Sequence, residues 1–406
     1  MFYFSMANKH KRLLQFIILS LIVFAVFSGV LVAAAQDDRR PLPPSFPKIT
    51  IRATEETAPG VLYLANLRRT DTDDETTRPY LIILNNDGTP AFFRPAPMPP
   101  AYNFGRMPNG NRYVYSLLDR GLGRGAAMDG IYHILDSQGN IIRDITIIGE
   151  GLPTQMHAFV PLENGNVLLT SQPTHTEDLT AFGGDAEAIV VETIIQEIDP
   201  DDNVVFEWSS ADHVELTETR TPRELMFAPP APVAYFHGNG LAVDQNGDII
   251  ISARRFDELI KINRQTGDII WRMGGPASQN NEFTFINDPR GGFSGQHHVT
   301  VLPNGNILLF DNGDLSEERV SRAVEYEIDE ESRTATLVWS FEDPAGRYTG
   351  SMGSAQRLSN GNTLIGWGNA PPEGPNAIEV NSDGEIVFEL WLPPSQMTYR
   401  IYRYEE

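Results

Sequence analysis

The chain has 406 residues, of which 41% are hydrophobic and 10% aromatic, a composition typical of a globular protein with a well-buried core. Acidic residues outnumber basic ones by 54 to 31, so we expect no nucleic-acid partner. The chain contains no cysteine, which excludes disulfides, thiolate catalysis and cysteine-ligated zinc or iron–sulfur sites.

The first 36 residues have the organisation of an export signal. The basic stretch KHKR at residues 9–12 precedes the apolar run LLQFIILSLIVFAVFSGVLVAAA, which ends in an A-x-A site. The run is about as long as the ~20 residues that span a bilayer, so residues 1–36 fit a cleaved signal peptide or an uncleaved anchor. Residues 37–47, DDRRPLPPSFP, read as a linker before a domain at 48–406. We expect this domain to be extracytoplasmic (periplasmic, cell-surface or secreted), either released or anchored to the membrane.

An Asn-Gly motif recurs along the rest of the chain. It lies at Asn109, Asn164, Asn246, Asn304 and Asn360, at intervals of 55, 82, 58 and 56 residues. Each copy stands between short apolar runs rich in β-branched residues, which predicts a two-residue hairpin of type I′. A second hairpin follows each one, near residues 140, 202, 266, 332 and 383, and residues 59–94 resemble a further copy. The repeat predicts an all-β fold, a six-bladed β-propeller of four-stranded antiparallel blades.

Equivalent positions of propeller blades converge on a central channel, so the repeats can be aligned on their Asn-Gly pairs. Seven residues before each Asn, three of the five blades carry an imidazole or an amide, at His157, Asn239 and His297. Eight residues after the Asn, the hairpin returns to the same face, which adds Arg254 and Asn312. His237 lies two residues before Asn239 and shares its face. We therefore expect these six residues to cluster at one mouth of the channel.

The chemistry of this set suits an anionic tetrahedral group. Arg254 can bind two oxyanion oxygens with its planar guanidinium, and Asn239 and His237 can donate hydrogen bonds to developing charge. A neutral His297 can act as a nucleophile without a metal, and His157 can transfer the proton of the leaving or entering oxygen. No cofactor and no metal are needed for this chemistry. His298, on the opposite face, is predicted to point into the blade or toward a loop, although a bulge would exchange its role with that of His297.

Four stretches resemble the bacterial arylsulfotransferases, which are exported six-bladed propellers that move a sulfuryl group from an aryl sulfate to a phenol. They are MHAFVPLENGNVLLTSQ, YFHGNGLAVDQNGDIIISARR, GQHHVTVLPNGNILLFDNG and SAQRLSNGNTLIGWG. The resemblance covers residues 59–395. Its most specific parts are HxN followed by SxR and QH followed by FDNG.

The resemblance implies a small-molecule aryl sulfate and a phenol as substrates. It places the transiently sulfated histidine at His297 and its catalytic companions at His157, His237, Asn239 and Arg254. Asn312, His298 and Arg255 are expected to contribute to substrate binding, and the choice of nucleophile between His297 and His298 stays open. The natural donor, the natural acceptor and the oligomeric state are not determined by the sequence.

Two alternatives remain on the residues alone. Clustered imidazoles can bind a divalent metal for lyase or oxygenase chemistry, although the cation of Arg254 would repel it. An exported propeller can also bind a ligand without catalysis, because a fold does not establish an activity.

Overall fold

Short apolar runs separated by turn residues form β-strands throughout the described part of the chain. The computed structural model describes residues 41–69, 78–119, 128–220 and 232–405. The strands are β1 (Thr50–Ala53), β2 (Val61–Arg68), β3 (Tyr80–Leu84), β4 (Pro90–Pro95), β5 (Ala101–Arg106), β6 (Arg112–Asp119), β7 (Asp129–Leu135), β8 (Ile141–Ile145), β9 (Thr154–Pro161), β10 (Val167–Ser171), β11 (Thr174–Glu177), β12 (Ala188–Val191), β13 (Ile194–Ile198), β14 (Val204–Ser209), β15 (Val233–Ala234), β16 (Gly238–Val243), β17 (Ile249–Ala253), β18 (Glu258–Ile262), β19 (Ile269–Gly274), β20 (Thr284–Ile286), β21 (His297–Val301), β22 (Ile307–Asp311), β23 (Arg322–Asp329), β24 (Thr334–Glu342), β25 (Ser354–Arg357), β26 (Thr363–Gly366), β27 (Ala377–Val380), β28 (Ile386–Trp391) and β29 (Gln396–Tyr404). Three 3₁₀ helices accompany them, at Thr180–Phe182, Ser210–Asp212 and Leu216–Glu218.

Five predicted pairs of hairpins each form one antiparallel sheet, whereas residues 59–94, predicted to be a further copy, supply only three strands of a sixth sheet, whose other strand is β29. Six sheets are built on the strand orders β29-β2-β3-β4, β5-β6-β7-β8, β9-β10-β13-β14, β16-β17-β18-β19, β21-β22-β23-β24 and β25-β26-β27-β28. The fifth of these carries β20 as an extra strand and the sixth carries β1. The insertion after β10 forms a small sheet of its own, β11-β12-β15. The prediction of an all-β fold made of four-stranded antiparallel sheets is confirmed.

The chain closes its first sheet with its last strand. β29 pairs antiparallel with β2, so that Val61 lies opposite Tyr404 and Arg68 opposite Gln396. The first strands of the six sheets, β29, β5, β9, β16, β21 and β25, contact one another in a closed series. The apolar cores lie between adjacent sheets, as where Trp208 packs with Phe236 and Ile260. Side chains at the start of these six strands are therefore brought close together.

The segment predicted to be an export signal, residues 1–36, lies outside the described residues, and so do residues 37–40 of the predicted linker. The six sheets belong to a compact unit that begins at Pro47. In the described ranges no helix has the length and apolar character of a membrane span.

The hairpins at the Asn-Gly pairs are not the two-residue type I′ turns that the sequence predicts. In the loop between β21 and β22, the Gly305 N–H donates to the Leu302 carbonyl (2.9 Å) and the Leu302 N–H to the Asn306 carbonyl (2.8 Å). Gly305 has a positive φ of 89°, whereas Asn304 does not. This is a type I turn with Pro303 at its second position, followed by a left-handed glycine. The prediction was wrong because the residue before each Asn also belongs to the loop.

The pairing of β21 with β22 departs twice from the predicted register, once in the longer loop and once at a bulge, and the two shifts cancel. The loop shifts the pairing by one residue, so that Val301 lies opposite Ile307. A bulge at His298, whose φ is 51°, shifts it by one more and places His297 opposite Phe310. One shift exchanges the faces of a sheet and a second restores them, so the expected face of His297 is kept. The hairpin of β16 and β17 shows the same two shifts.

The turn geometry predicts unequal costs for two neighbouring substitutions. Gly247→Ala should lower the free energy of unfolding by about 1–2 kcal/mol, because the added Cβ meets no atom within 4 Å but the residue stays at a φ of 87°. Asn246→Ala should cost less than ~0.5 kcal/mol, because Asn246 is not in the left-handed region. Urea unfolding of both variants checks this. Equal losses would instead indicate a type I′ turn.

Candidate active site

One cavity of about 970 Å³ is lined by strand residues of four sheets and by residues that flank the strands of the other two. Five of the eight residues selected from the sequence line it: His157, His237, Arg254, Arg255 and His297. They come from the first hairpins of three consecutive sheets, which begin with β9, β16 and β21. The structure thus brings together residues that are up to 140 positions apart, because the first strands of their sheets contact one another and begin close together.

His297 has a defined tautomer. Its Nδ1 lies 2.6 Å from the Asn312 side-chain oxygen and 3.1 Å from the Gly295 carbonyl, which are both acceptors. The Asn312 amide is oriented because its nitrogen donates to the carbonyls of Thr349 (2.7 Å) and Met352 (3.0 Å). Nδ1 therefore carries the proton, and the lone pair lies on Nε2. The backbone N–H of Met352 donates to this Nε2 at 3.2 Å.

The residues before His297 fix the start of its strand. The Gln296 side chain donates to the carbonyl of Glu258 (2.9 Å) and to the Ser252 hydroxyl (3.1 Å) in the neighbouring sheet. The Gly295 N–H donates to the Asp257 carboxylate at 2.6 Å. A Cβ at Gly295 would overlap the carboxylate of Asp314, so this position requires glycine. The GQH stretch therefore positions the imidazole through contacts with another sheet.

His157 and His237 are neighbours in the cavity wall, with ring centroids 4.8 Å apart. Burial, with Arg400 and Arg254 nearby, lowers the pKa of His157 to about 3. Burial also lowers the pKa of His237 and of His297 well below the ordinary value, and Arg254 acts in the same direction on both. The three imidazoles are therefore neutral near pH 7.

Arg254 is held by carboxylates that the sequence analysis did not select. Its Nη2 donates to Asp314 (2.9 Å) and to the Gly350 carbonyl (2.7 Å), whereas its Nε is buried without a partner. Asp314 also accepts from Arg220 (3.0 Å), and Arg220 binds both oxygens of Asp257 at 2.7 and 2.9 Å. Arg254 thus pairs with a carboxylate on a loop, and this network fixes the guanidinium at the cavity wall.

The described lining of the cavity is positively charged. It contains the four arginines Arg68, Arg78, Arg254 and Arg255 and no carboxylate. Burial and the charge of Arg254 lower the pKa of Arg255 to about 10, so Arg255 keeps its charge at neutral pH. Its Nε is buried without a partner. An anion that enters this cavity would therefore meet guanidinium groups of both residues, Arg254 and Arg255.

Asn239 and Asn312 lie behind the cavity wall, since both are fully buried and neither is among its lining residues. The Asn239 amide donates to the Gln296 carbonyl at 2.8 Å. Asn239 therefore positions the residue before His297, and Asn312 positions the ring of His297 itself.

His298 is not part of this cavity. It lines a second, smaller cavity, and its Nδ1 lies 3.0 Å from the Ala355 carbonyl. The adjacent histidines lie on different sides of the strand, as the alternation of side chains predicts, and of the two it is His297 that reaches the larger cavity.

The cavity also has an apolar side. Tyr102 and Tyr399 meet edge to face, with centroids 6.0 Å apart. Met128, Met156 and Met397 complete this side. Such a surface suits an aromatic ring, because aryl groups pack favourably on tyrosine edges and on methionine sulfur.

The important residues that sequence reasoning missed are Arg220, Asp314, Tyr399 and Arg400. Tyr399 and Arg400 lie on β29, which has no Asn-Gly turn to count from. Asp314 follows the FDNG motif directly, so the motif was a usable signal for it. Within the described residues, no group of three or more His, Asp or Glu side chains has a metal-binding arrangement.

Comparisons with known proteins give one family. The model of the arylsulfotransferase (ASST) family matches residues 49–403. The chain is 26% identical over a 163-residue alignment to the arylsulfate sulfotransferase AssT of Escherichia coli O6:H1, and the alignment covers 32% of this chain. It spans only 27% of the length of that relative.

Two solved structures align with most of this chain. A Bacteroides caccae protein of unknown function is 13% identical with a TM-score of 0.52, covering 86% of this chain and all of the other. A Dyadobacter fermentans protein of unknown function is 10% identical with a TM-score of 0.45, covering 82% of this chain and 87% of the other. At these identities only the fold is compared.

The buried histidines predict a loss of stability in mild acid. The folded-state pKa of His157, about 3, lies below the unfolded value of 6.5, so only the unfolded chain takes up this proton between those values. The stability contribution is complete above pH 6.5 and is lost as the pH falls toward 3. His157→Gln should therefore flatten the pH dependence of the unfolding free energy by about 1.4 kcal/mol per pH unit in this window. Urea unfolding at pH 7.5, 6.0 and 5.0 measures it, and parallel curves for the two proteins would contradict it.

Proposed function

Because this chain belongs to the arylsulfotransferase family, we propose that it moves a sulfuryl group from an aryl sulfate to a phenol through a sulfohistidine at His297. The observation that carries the proposal is a neutral imidazole, with its lone pair on Nε2, in a cavity that contains arginines and no carboxylate among its described lining residues. We further propose that the six sheets are the blades of a six-bladed propeller, on the basis of the closed series of contacts between their first strands.

The donor's sulfate group would bind on the arginine side of the cavity. Arg254 is fixed by Asp314 through one nitrogen and keeps its Nε without a partner, and Arg255 likewise has a buried, unpartnered Nε. Charge-assisted hydrogen bonds from these groups would hold the sulfuryl oxygens and stabilise their charge in the transition state. The aryl ring would pack against Tyr102 and Tyr399 on the apolar side.

In the first step the Nε2 lone pair of His297 attacks sulfur. The N–S bond forms, the bond between sulfur and the aryl oxygen breaks, and its electron pair leaves with the phenolate, which takes a proton from solvent. The Nδ1 proton stays on the ring and donates to Asn312, so the positive charge of the sulfated imidazole faces an acceptor. No second base is required, because burial and Arg254 already keep His297 neutral, with no proton on Nε2.

In the second step a phenolic hydroxyl attacks the same sulfur. Its proton passes to the neutral His157, the N–S electron pair returns to Nε2, and the new aryl sulfate leaves. His157 then releases the proton to solvent, which its low pKa favours. His237, 4.8 Å from His157 between ring centroids, is placed to hydrogen-bond the entering or leaving oxygen.

The Met352 N–H must yield its place on Nε2 before attack, because it donates to the same lone pair at 3.2 Å. Met352 has a φ of 66°, which is uncommon for a residue with a side chain, and it is followed by Gly353. The backbone at Met352 is thus expected to shift when a sulfuryl group binds, and its N–H would then be available to a sulfuryl oxygen.

The adjacent histidines provide a matched test of the nucleophile. His297→Asn should lower aryl sulfate turnover by ~10³-fold or more, because the attacking nitrogen is lost. His298→Asn removes an equal side chain from outside the cavity and should retain a labile adduct. Phenol release from a chromogenic aryl sulfate, with intact mass and peptide mapping of the trapped enzyme, measures both. An adduct that maps to residue 298, or acceptor-dependent turnover without an adduct, would overturn the proposed mechanism.

The role of Arg254 gives a second test. Arg254→Met should lower kcat/KM by ~10²–10³-fold, because an oxyanion donor fixed for the transition state is removed. Arg254→Lys keeps the charge but not the planar set of donors, and should recover only a part of the activity. Steady-state kinetics with a saturating phenol measure this. Full activity in Arg254→Met would show that the sulfuryl group binds elsewhere.

A further inference from the structure

A second cavity of about 260 Å³ lies apart from the candidate active site, and no lining residue is common to the two. It is bordered by the first strands β9, β16, β21 and β29. Most of its wall is apolar, and its charged or titratable side chains in the described residues are Tyr113, His298, Arg400 and Tyr402. It contains a cation and no carboxylate.

Arg400 is a buried charge without a counter-charge in the described structure. Only 7% of the residue is exposed. Its Nη2 donates to the carbonyls of His157 (2.7 Å) and Asn239 (3.0 Å), and its guanidinium lies 5.0 Å from the centroid of the Tyr399 ring. No described carboxylate forms an ion pair with it. Arg403 on the same strand differs, since it is paired with Glu379 at 3.0 Å.

The donors of Arg400 are incompletely used, because its Nε is buried and has no hydrogen-bond partner. A buried charge is costly unless it is paired and all of its donors are bonded. Neutral carbonyls, an aromatic ring and the hydroxyls of Tyr399 and Tyr402 compensate a guanidinium only in part. The arrangement therefore favours an anion as the missing partner.

His298 supplies a second group to the same cavity. The backbone N–H of Ala355 approaches its Nδ1 at 3.3 Å, and the Ala355 carbonyl lies at 3.0 Å. The carbonyl is the closer of the two, so Nδ1 carries the proton and donates to it, and Nε2 keeps its lone pair, which leaves Arg400 as the cationic donor of this cavity. Arg400 is close enough to help lower the pKa of His298, which burial brings to about 3.

We propose that this second cavity is a binding site for a small inorganic anion, a halide or sulfate, held by Arg400. The anion would neutralise the charge that the protein itself leaves uncompensated. Because Arg400 also lowers the pKa of His157, binding here would raise the pKa of His157 and link the anion to the candidate active site.

Thermal unfolding with chloride, bromide or sulfate in place of gluconate, at constant ionic strength, tests the proposal. We expect a saturable rise in Tm with at least one of the three anions. Gly240→Val narrows the cavity without removing a polar group, since a Cβ at this glycine meets only ordinary contacts of 3.4–3.5 Å. It should raise the apparent Kd of the anion at least tenfold, and Arg400→Met should abolish the saturable rise in Tm.

Arg254→Met is the control for anions that bind in the larger cavity, and it should leave the saturable effect in place. An anomalous peak of bromide beside Arg400 in crystals would confirm a halide, and competition of sulfate for that peak would extend the site to oxyanions. The proposal is overturned if no anion gives a saturable effect, or if the effect is lost in Arg254→Met and kept in Gly240→Val.

Discussion

The pairing of β29 with β2 is the interaction on which the rest of the structure depends. Without it the first sheet would lack its first strand, and the unpaired backbone of β2 would form an exposed sheet edge. β29 contacts both β5 and β25, so it completes the series of first strands. It also carries Tyr399 to the large cavity and Arg400 to the small one. The strand that closes the series therefore also contributes to both cavities.

Closure concentrates positive charge in a protein whose net charge is −23. The carboxylates near the large cavity are bound by arginines, as in the chain from Asp257 through Arg220 to Asp314 and Arg254. Since these carboxylates are used behind the wall, the cavity itself presents guanidinium groups. A local positive potential in a chain of negative net charge attracts small anions that can enter the cavity.

The same environment prepares the proposed nucleophile. Desolvation and Arg254 both disfavour the positively charged form of His297, and Asn312 confines the single proton of the neutral ring to Nδ1. A reactive lone pair is thus available without a metal or an adjacent base, which is an uncommon way to activate a nucleophile. This environment lowers the stability of the folded state, because three neutral imidazoles and several guanidinium groups are removed from water.

The sequence by itself determined the strands, their pairing into four-stranded sheets, and the meeting of His157, His237, Arg254 and His297. These follow from alternating apolar runs and from a repeat whose equivalent positions converge. The sequence did not determine the loop length or the bulge at His298, whose two errors of register cancelled. Only the tertiary structure decided the partners of Arg254, the placement of Arg400 and the separation of His298 from the larger cavity. The physical reason is that strand formation is local and periodic, whereas a buried charge or imidazole acquires its partner from another sheet, whose position is fixed only when the series closes.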